Sequence, residues 1–198
     1  MKNLVSLIVI LFISHSFYAQ SQSGDFTLAP TLGLNLSTFS AENSYKIKTG
    51  IHGGLVAEYY ITEEWSIRSG VLYDALGAED DFDNLDKLNY FNIPLNASWH
   101  FGKNYNWYLN FGLSLAFLSE ATSELSDGSE VDINDNVNSF DFGLSLGIGY
   151  KFYLSKNLSL FLEVQNYNGI LDIVNEDEFP IALRNARTAI NFGAVFSL

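Results

Sequence analysis

The sequence predicts an all-β fold, a closed up-and-down barrel of eight antiparallel strands, and three observations predict it. Apolar and polar residues alternate one by one in eight stretches between residues 26 and 198, the period of a strand whose two faces meet unlike surroundings. The connections alternate strictly between long and short, so all neighbours can be antiparallel with every long loop at one end. The chain also holds 15 Gly against 3 Pro and is rich in Phe and Tyr, which suits extended segments better than helices.

Ahead of these stretches, residues 1–19 read as a secretory signal. Lys2 supplies the basic start, residues 4–12 an apolar run, and Ala19 a small residue before the proposed cut. The run is shorter than the roughly 20 apolar residues of a spanning helix. Residues 20–198 then form one domain. Loss of Lys2 makes the formal charge of −13 one unit more negative, and so acidic a chain is a poor partner for nucleic acid, whose phosphates need clustered Lys and Arg. With no Cys, a disulfide framework, a thiolate metal site and a lipoprotein anchor are all excluded.

The first strand, 26–39, sets Phe26, Leu28, Leu32, Leu34 and Leu36 against Thr27, Thr31, Asn35 and Ser37. The second, 50–61, opposes Ile51, Leu55 and Tyr59 to His52, Glu58 and Tyr60. The third, 65–78, opposes Trp65, Ile67, Val71 and Tyr73 to Ser66, Arg68 and Asp74. In the fourth, 89–101, Phe91, Ile93, Leu95 and Trp99 share one face and Asn92, Asn96, Ser98 and His100 the other. Pro94 within it has no N–H for a ladder, so a bulge or a lumen-side water is expected there. The fifth, 107–119, is apolar at every second residue from Trp107 to Phe117. The sixth, 140–153, places Phe142, Leu144, Leu146, Ile148, Tyr150 and Phe152 opposite Asp141, Ser145 and Lys151. The seventh, 158–167, turns Leu158, Leu160, Leu162 and Val164 away from Glu163 and Gln165. The eighth, 184–198, opposes Ile190, Phe192 and Phe196 to Arg187 and Asn191.

Alternation alone does not say which face is inside, so a membrane barrel is weighed against a secreted, lipocalin-like barrel holding a small apolar ligand. Three features favour the membrane. The polar face is sparse in charge and rich in Gly, Ser, Asn and Thr, where a water-facing surface would carry many ions. Its few ions, Glu58, Asp74, Asp141 and Glu163 with Arg68, Lys151 and Arg187, can form a charge network across a narrow lumen, since buried charges are tolerated only when paired. Tyr59, Trp65, Trp99, Trp107 and Tyr150 sit on the apolar face near the short turns, where aromatics mark a lipid interface. Sixteen of the 23 acids lie in the long segments 41–49, 79–87, 120–139 and 170–183, which keeps them out of the lipid zone. The strands also exceed the about 9–11 residues that cross a bilayer when tilted. The expected address is the outer membrane, with lipid as a partner and acidic loops outside.

Two patches carry a resemblance. Residues 88–95, LNYFNIPL, and 185–196, NARTAINFGAVF, resemble the PorT-like outer membrane β-barrel family of Bacteroidetes-type bacteria, and the pattern of the whole mature chain fits it. The resemblance implies a barrel in the outer membrane, of a family some of whose members take part in protein secretion. The chain departs from the aromatic ending usual in such barrels, closing on Phe196, Ser197 and Leu198.

Little chemistry is signalled. His52 and His100 both point to the polar face but toward opposite ends, so no Ser–His–carboxylate arrangement is marked and no enzyme is predicted. Residues 132–136, DINDN, imitate the start of a calcium loop, but Val137 stands where the motif needs Gly and Gly143 where it needs the bidentate Glu. A weak divalent-cation site among Glu130, Asp132, Asp135 and Glu176 to Glu178, or a protein partner, is what the loops could still take; no cofactor is expected.

Overall fold

The computed structural model describes residues 22–40, 45–174 and 182–198. The proposed leader and Glu176, Asp177 and Glu178 lie outside the described residues. The chain runs through β1 (Phe26–Ser40), β2 (Lys46–Tyr60), β3 (Trp65–Glu79), β4 (Leu85–Phe101), β5 (Trp107–Glu124), the short β6 (Glu130–Asp132), a single 3₁₀ turn (Asn134–Asn136), β7 (Phe140–Tyr153), β8 (Leu158–Gly169) and β9 (Arg184–Ser197). Every pairing between strands is antiparallel. β1 pairs with both β2 and β9, and β5 with both β4 and β7, which closes eight strands into a barrel. β6 lies outside the ring, paired only with the end of β5. Closure leaves no sheet edge in the lipid zone, as a membrane-spanning sheet requires.

The faces follow the alternation. On β4 the side chains of Asn92, Asn96, Ser98 and His100 are buried, while Phe91, Leu95 and Trp99 are exposed. Along the ring the exposed large apolar side chains are Leu, Ile, Val, Phe, Trp and Tyr59, and the buried side chains are mostly polar. A soluble, lipocalin-like barrel would have the reverse arrangement.

Three strands outrun their sequence-read bounds by more than a full turn of the pleat at the long-loop end: β2 begins at Lys46, β4 at Leu85, and β5 continues to Glu124. These extensions carry Lys46, Asp86, Lys87 and Glu120, whose polarity hides any alternation. Register shifts between Ile47 and His52 and at the Asn89/Tyr90 step mark bulges where the extensions begin.

The ladder is interrupted at Pro94. β3 and β4 pair at Ser69↔Leu95 and resume at Leu72↔Asn92 in the same register, so two successive residue pairs are skipped and no bulge forms. Gly70 lies across the gap, and an interior cavity of about 10 Å³, the size of one water, touches Pro94 together with His52, Arg68 and Asn191.

Candidate functional site

An eight-stranded ring has an interior that side chains just fill, and here they fill it in tiers rising from the short turns. In the lowest tier Glu58 of β2 meets Lys151 of β7, with Nζ 3.0 Å from Oε2. The same carboxylate accepts the Ser66 hydroxyl at 2.6 Å and lies 2.9 Å from His100 Nε2. Lys151 also bonds the Tyr60 hydroxyl. Above this, Arg68 of β3 reaches Glu163 of β8 at 2.6 Å, and Asn110 and Asn191 donate to the same carboxylate. Higher still, Asp74 holds Arg187 at 2.9 Å and His52 Nδ1 at 2.6 Å, while Asn35 and Asn92 donate to it.

Thus three of the four lumen carboxylates named from the sequence each meet one of the three cations, across strands far apart in the chain. Asp141 is different. It is fully buried, but its partners are the Tyr167 hydroxyl, the Asn185 amide and the backbone N–H of Phe142. Among the described residues no cation bonds to it. Sequence reading also missed the aromatic filling: Tyr90, Tyr108, Tyr167 and Phe161 are buried inside. The Arg68 guanidinium stands 5.7 Å from the Tyr108 ring centre and Lys151 Nζ 5.2 Å from it, within reach of a cation–π attraction. The inward parity of these four positions was readable, but aromatics on a polar face carry no signal of their own.

Toward the long-loop end the described residues form an apolar layer. Phe39, Leu76, Leu88, Val137 and Ile173 belong to one buried apolar cluster over the Asp141 tier. A bridge between Val137 and Val174 and the bond from Asn138 N to Ile173 O tie the two longest loops together across it. The loops read as solvated and acidic therefore also supply a plug. The DINDN segment is a turn: Asp132 Oδ1 accepts from Asn134 N and Nδ2, and Asn134 Oδ1 accepts from Ala121 N. Among the described residues no group of three potential ligands could hold a metal.

His52 and His100 occupy separate tiers. His100 presents the same Nε2 to Ser66 and to Glu58, whereas a catalytic relay needs one ring nitrogen for each.

On the outside, four of the five named aromatics join a continuous row near the short turns. Trp65 and Trp99 stack at 6.4 Å, Phe101 links Trp99 to Trp107, and Trp107 meets Tyr150 at 4.9 Å. Tyr59 is exposed on β2 and stands apart from the row.

With polar groups inside, an apolar outer wall and no open edge, the fold is that of a membrane barrel. Residues 18–175 match the family described as outer membrane protein beta-barrel domain. The chain belongs to that family. As an outer membrane β-barrel it resides in the lipid of the outer membrane, and the match ends before β9, the strand that closes the ring. Among solved structures it is similar to the outer membrane protein OprG from Pseudomonas aeruginosa, at 10% identity and a TM-score of 0.57, covering 91% of this chain and 98% of that one. It is also similar to Ail, the attachment invasion locus protein of Yersinia pestis, solved with the heparin analogue sucrose octasulfate, at 12% identity and a TM-score of 0.50, covering 88% and 100%. At such identities the likeness is one of fold. No curated protein matches the chain.

Proposed function

We propose that this outer membrane barrel is a non-enzymatic binding protein that works through its outer loops, its lumen serving as a rigid core and not as a passage. The observation that carries this reading is the filled interior: three buried ion pairs stacked beneath an apolar plug. The seven lumen ions act as the structural network of that core, and the outward aromatics hold the barrel at the lipid interface.

The binding element is the tip of the β3–β4 hairpin. Asp80 Oδ1 accepts from the N–H groups of Phe82 and Asn84, Lys46 grips both Glu79 and Asp83, and Ser126 N donates to Asn84 Oδ1. On this braced turn Phe82 is 78% exposed, flanked by Asp81 and Asp83. A partner fitting it has an apolar socket rimmed by Lys and Arg. A polyanion of the kind held by Ail would be repelled. A part in protein secretion, as the PorT-like resemblance implies, is one form of this role, and the plug requires it to be played from the rim.

A photo-reactive phenylalanine analogue at position 82, in intact cells, tests the reading. A discrete protein adduct that is lost on adding D81N and D83N is expected; no adduct overturns the proposed contact. Steady conductance of the folded barrel in planar bilayers would overturn the sealed lumen.

A further inference from the structure

His52 of β2, Gly33 of β1 and Asn191 of β9 lie on one rung of the barrel, since Gly33 pairs with His52 on one side and with Asn191 on the other. His52 and Asn191 are thus two strand spacings apart, about 10 Å between Cα atoms. Both side chains turn inward and are almost wholly buried. Gly33 puts no side chain between them; a Cβ there would stand 2.3 Å from Asn191 Oδ1. His52 and Asn191 both line the interior cavity of about 10 Å³, whose apolar wall is made by Val56, Leu72 and Pro94.

The bonds that the two side chains make elsewhere fix which of their atoms are left over. Asn191 Nδ2 donates to Glu163 Oε1 at 3.2 Å, and a carboxylate oxygen only accepts, so the other end of that amide is the oxygen. His52 Nδ1 lies 2.6 Å from Asp74 Oδ1, a contact that needs the proton on Nδ1. The neutral ring then presents Nε2 as an acceptor. Among the described residues His52 Nε2 and Asn191 Oδ1 are both buried without a hydrogen-bond partner, and a buried acceptor left so is costly.

We propose that this cavity is a binding site for one ordered water, which donates one hydrogen to His52 Nε2 and the other to Asn191 Oδ1. The volume is that of a single water, and the site is polar enough to hold it. A small cation would also serve two acceptors, but the Arg68 guanidinium lines the same cavity and repels it. To a water the guanidinium is instead a donor, and the water oxygen accepts from it. The bound water ties His52, in the tier of Asp74 and Arg187, to Asn191, in the tier of Arg68 and Glu163. It also holds the imidazole in its Nδ1–H form, a bridge nearly as good as a direct hydrogen bond.

Nuclear magnetic resonance of the full chain, labelled with nitrogen-15 and folded into micelles of deuterated detergent at pH 7, tests this. The His52 signals, assigned by their loss in H52Q, are expected to show the Nδ1–H tautomer with Nε2 accepting. The ring C–H protons are expected to show cross-relaxation with water, of the sign that marks a long-held molecule. In N191L that water signal is expected to be lost, with heat-shifted gel migration confirming the fold. A wild type with no such signal, with an Nε2–H ring or with an imidazolium overturns the proposal, and these readings decide the matter even where N191L does not fold. A signal undiminished in N191L overturns it too. So do His52 signals that change when sodium replaces potassium in the buffer, since that assigns the cavity to a cation.

Discussion

Arg68 of β3 places Nη1 2.6 Å from Oε2 of Glu163 on β8, across the lumen and 95 residues away along the chain. Both side chains are almost wholly buried, so each charge depends on the other for its tolerance. Removing one partner strands the other. Glu163→Gln or Arg68→Met is expected to lower stability by about 3–5 kcal/mol, read as a lower denaturant midpoint for the folded barrel. Arg68→Met with Glu163→Leu recovers most of the loss, because the pair is then replaced and not broken.

Asp141 leads to the opposite expectation. It is buried without a cation, and hydrogen bonds from Tyr167, Asn185 and the Phe142 N–H hold it. An amide of the same shape keeps part of that set and removes an uncompensated charge. Asp141→Asn is expected to leave the barrel as stable or more so, within about 1 kcal/mol. A loss as large as that of Glu163→Gln would mean that a cation reaches Asp141 after all.

Gly149 faces Tyr108 across the β5–β7 ladder, and a Cβ on it would stand 2.2 Å from the ring's Cζ. The ring has no room to swing, since Arg68 and Lys151 both lie against it. Gly149→Ala is expected to cost about 1–3 kcal/mol through overpacking. In a Tyr108→Ala background the same change costs far less, and a double-mutant cycle on thermal unfolding measures the difference.

The hairpin tip is braced by charge and so responds to pH. The hydrogen bond from Lys46 holds the Asp83 carboxyl below its usual range, and Asp83, then Glu79, raise the Lys46 ammonium. A lowered carboxyl pKa adds stability that is complete above its unfolded value of about 3.9 and fades as pH falls through the folded value. The raised ammonium adds stability that is complete below about 10.4 and is lost above. Hydrogen exchange at residues 80–84 is expected to quicken relative to the ring as pH falls from about 4 to about 2. Lys46→Met quickens it at pH 7 and flattens that dependence.

The alternation of Phe91, Ile93, Leu95 and Trp99 with Asn92, Asn96, Ser98 and His100 was enough to predict a strand, its faces and, with seven like it, a closed ring. That pattern is legible because side-chain direction in a strand has a period of two and lipid leaves no freedom over which face is apolar. Where polarity stops alternating, at Lys46 and Lys87, strand ends could not be read, and the loops' apolar residues Val137 and Ile173 gave no hint of a plug. Pro94 signalled an interruption but not its form: the pairing skips Gly70 and Val71 of β3 without any change of register.

The sequence by itself therefore determined the strand order, the outward and inward sets and the seven ions of the lumen. Only the tertiary structure decided which ions meet. Glu163 faces Arg68, Glu58 faces Lys151, Asp74 faces Arg187, and Asp141 is left to neutral donors. Those contacts depend on the stagger with which β9 closes against β1, a long-range relation that no local pattern in the chain encodes.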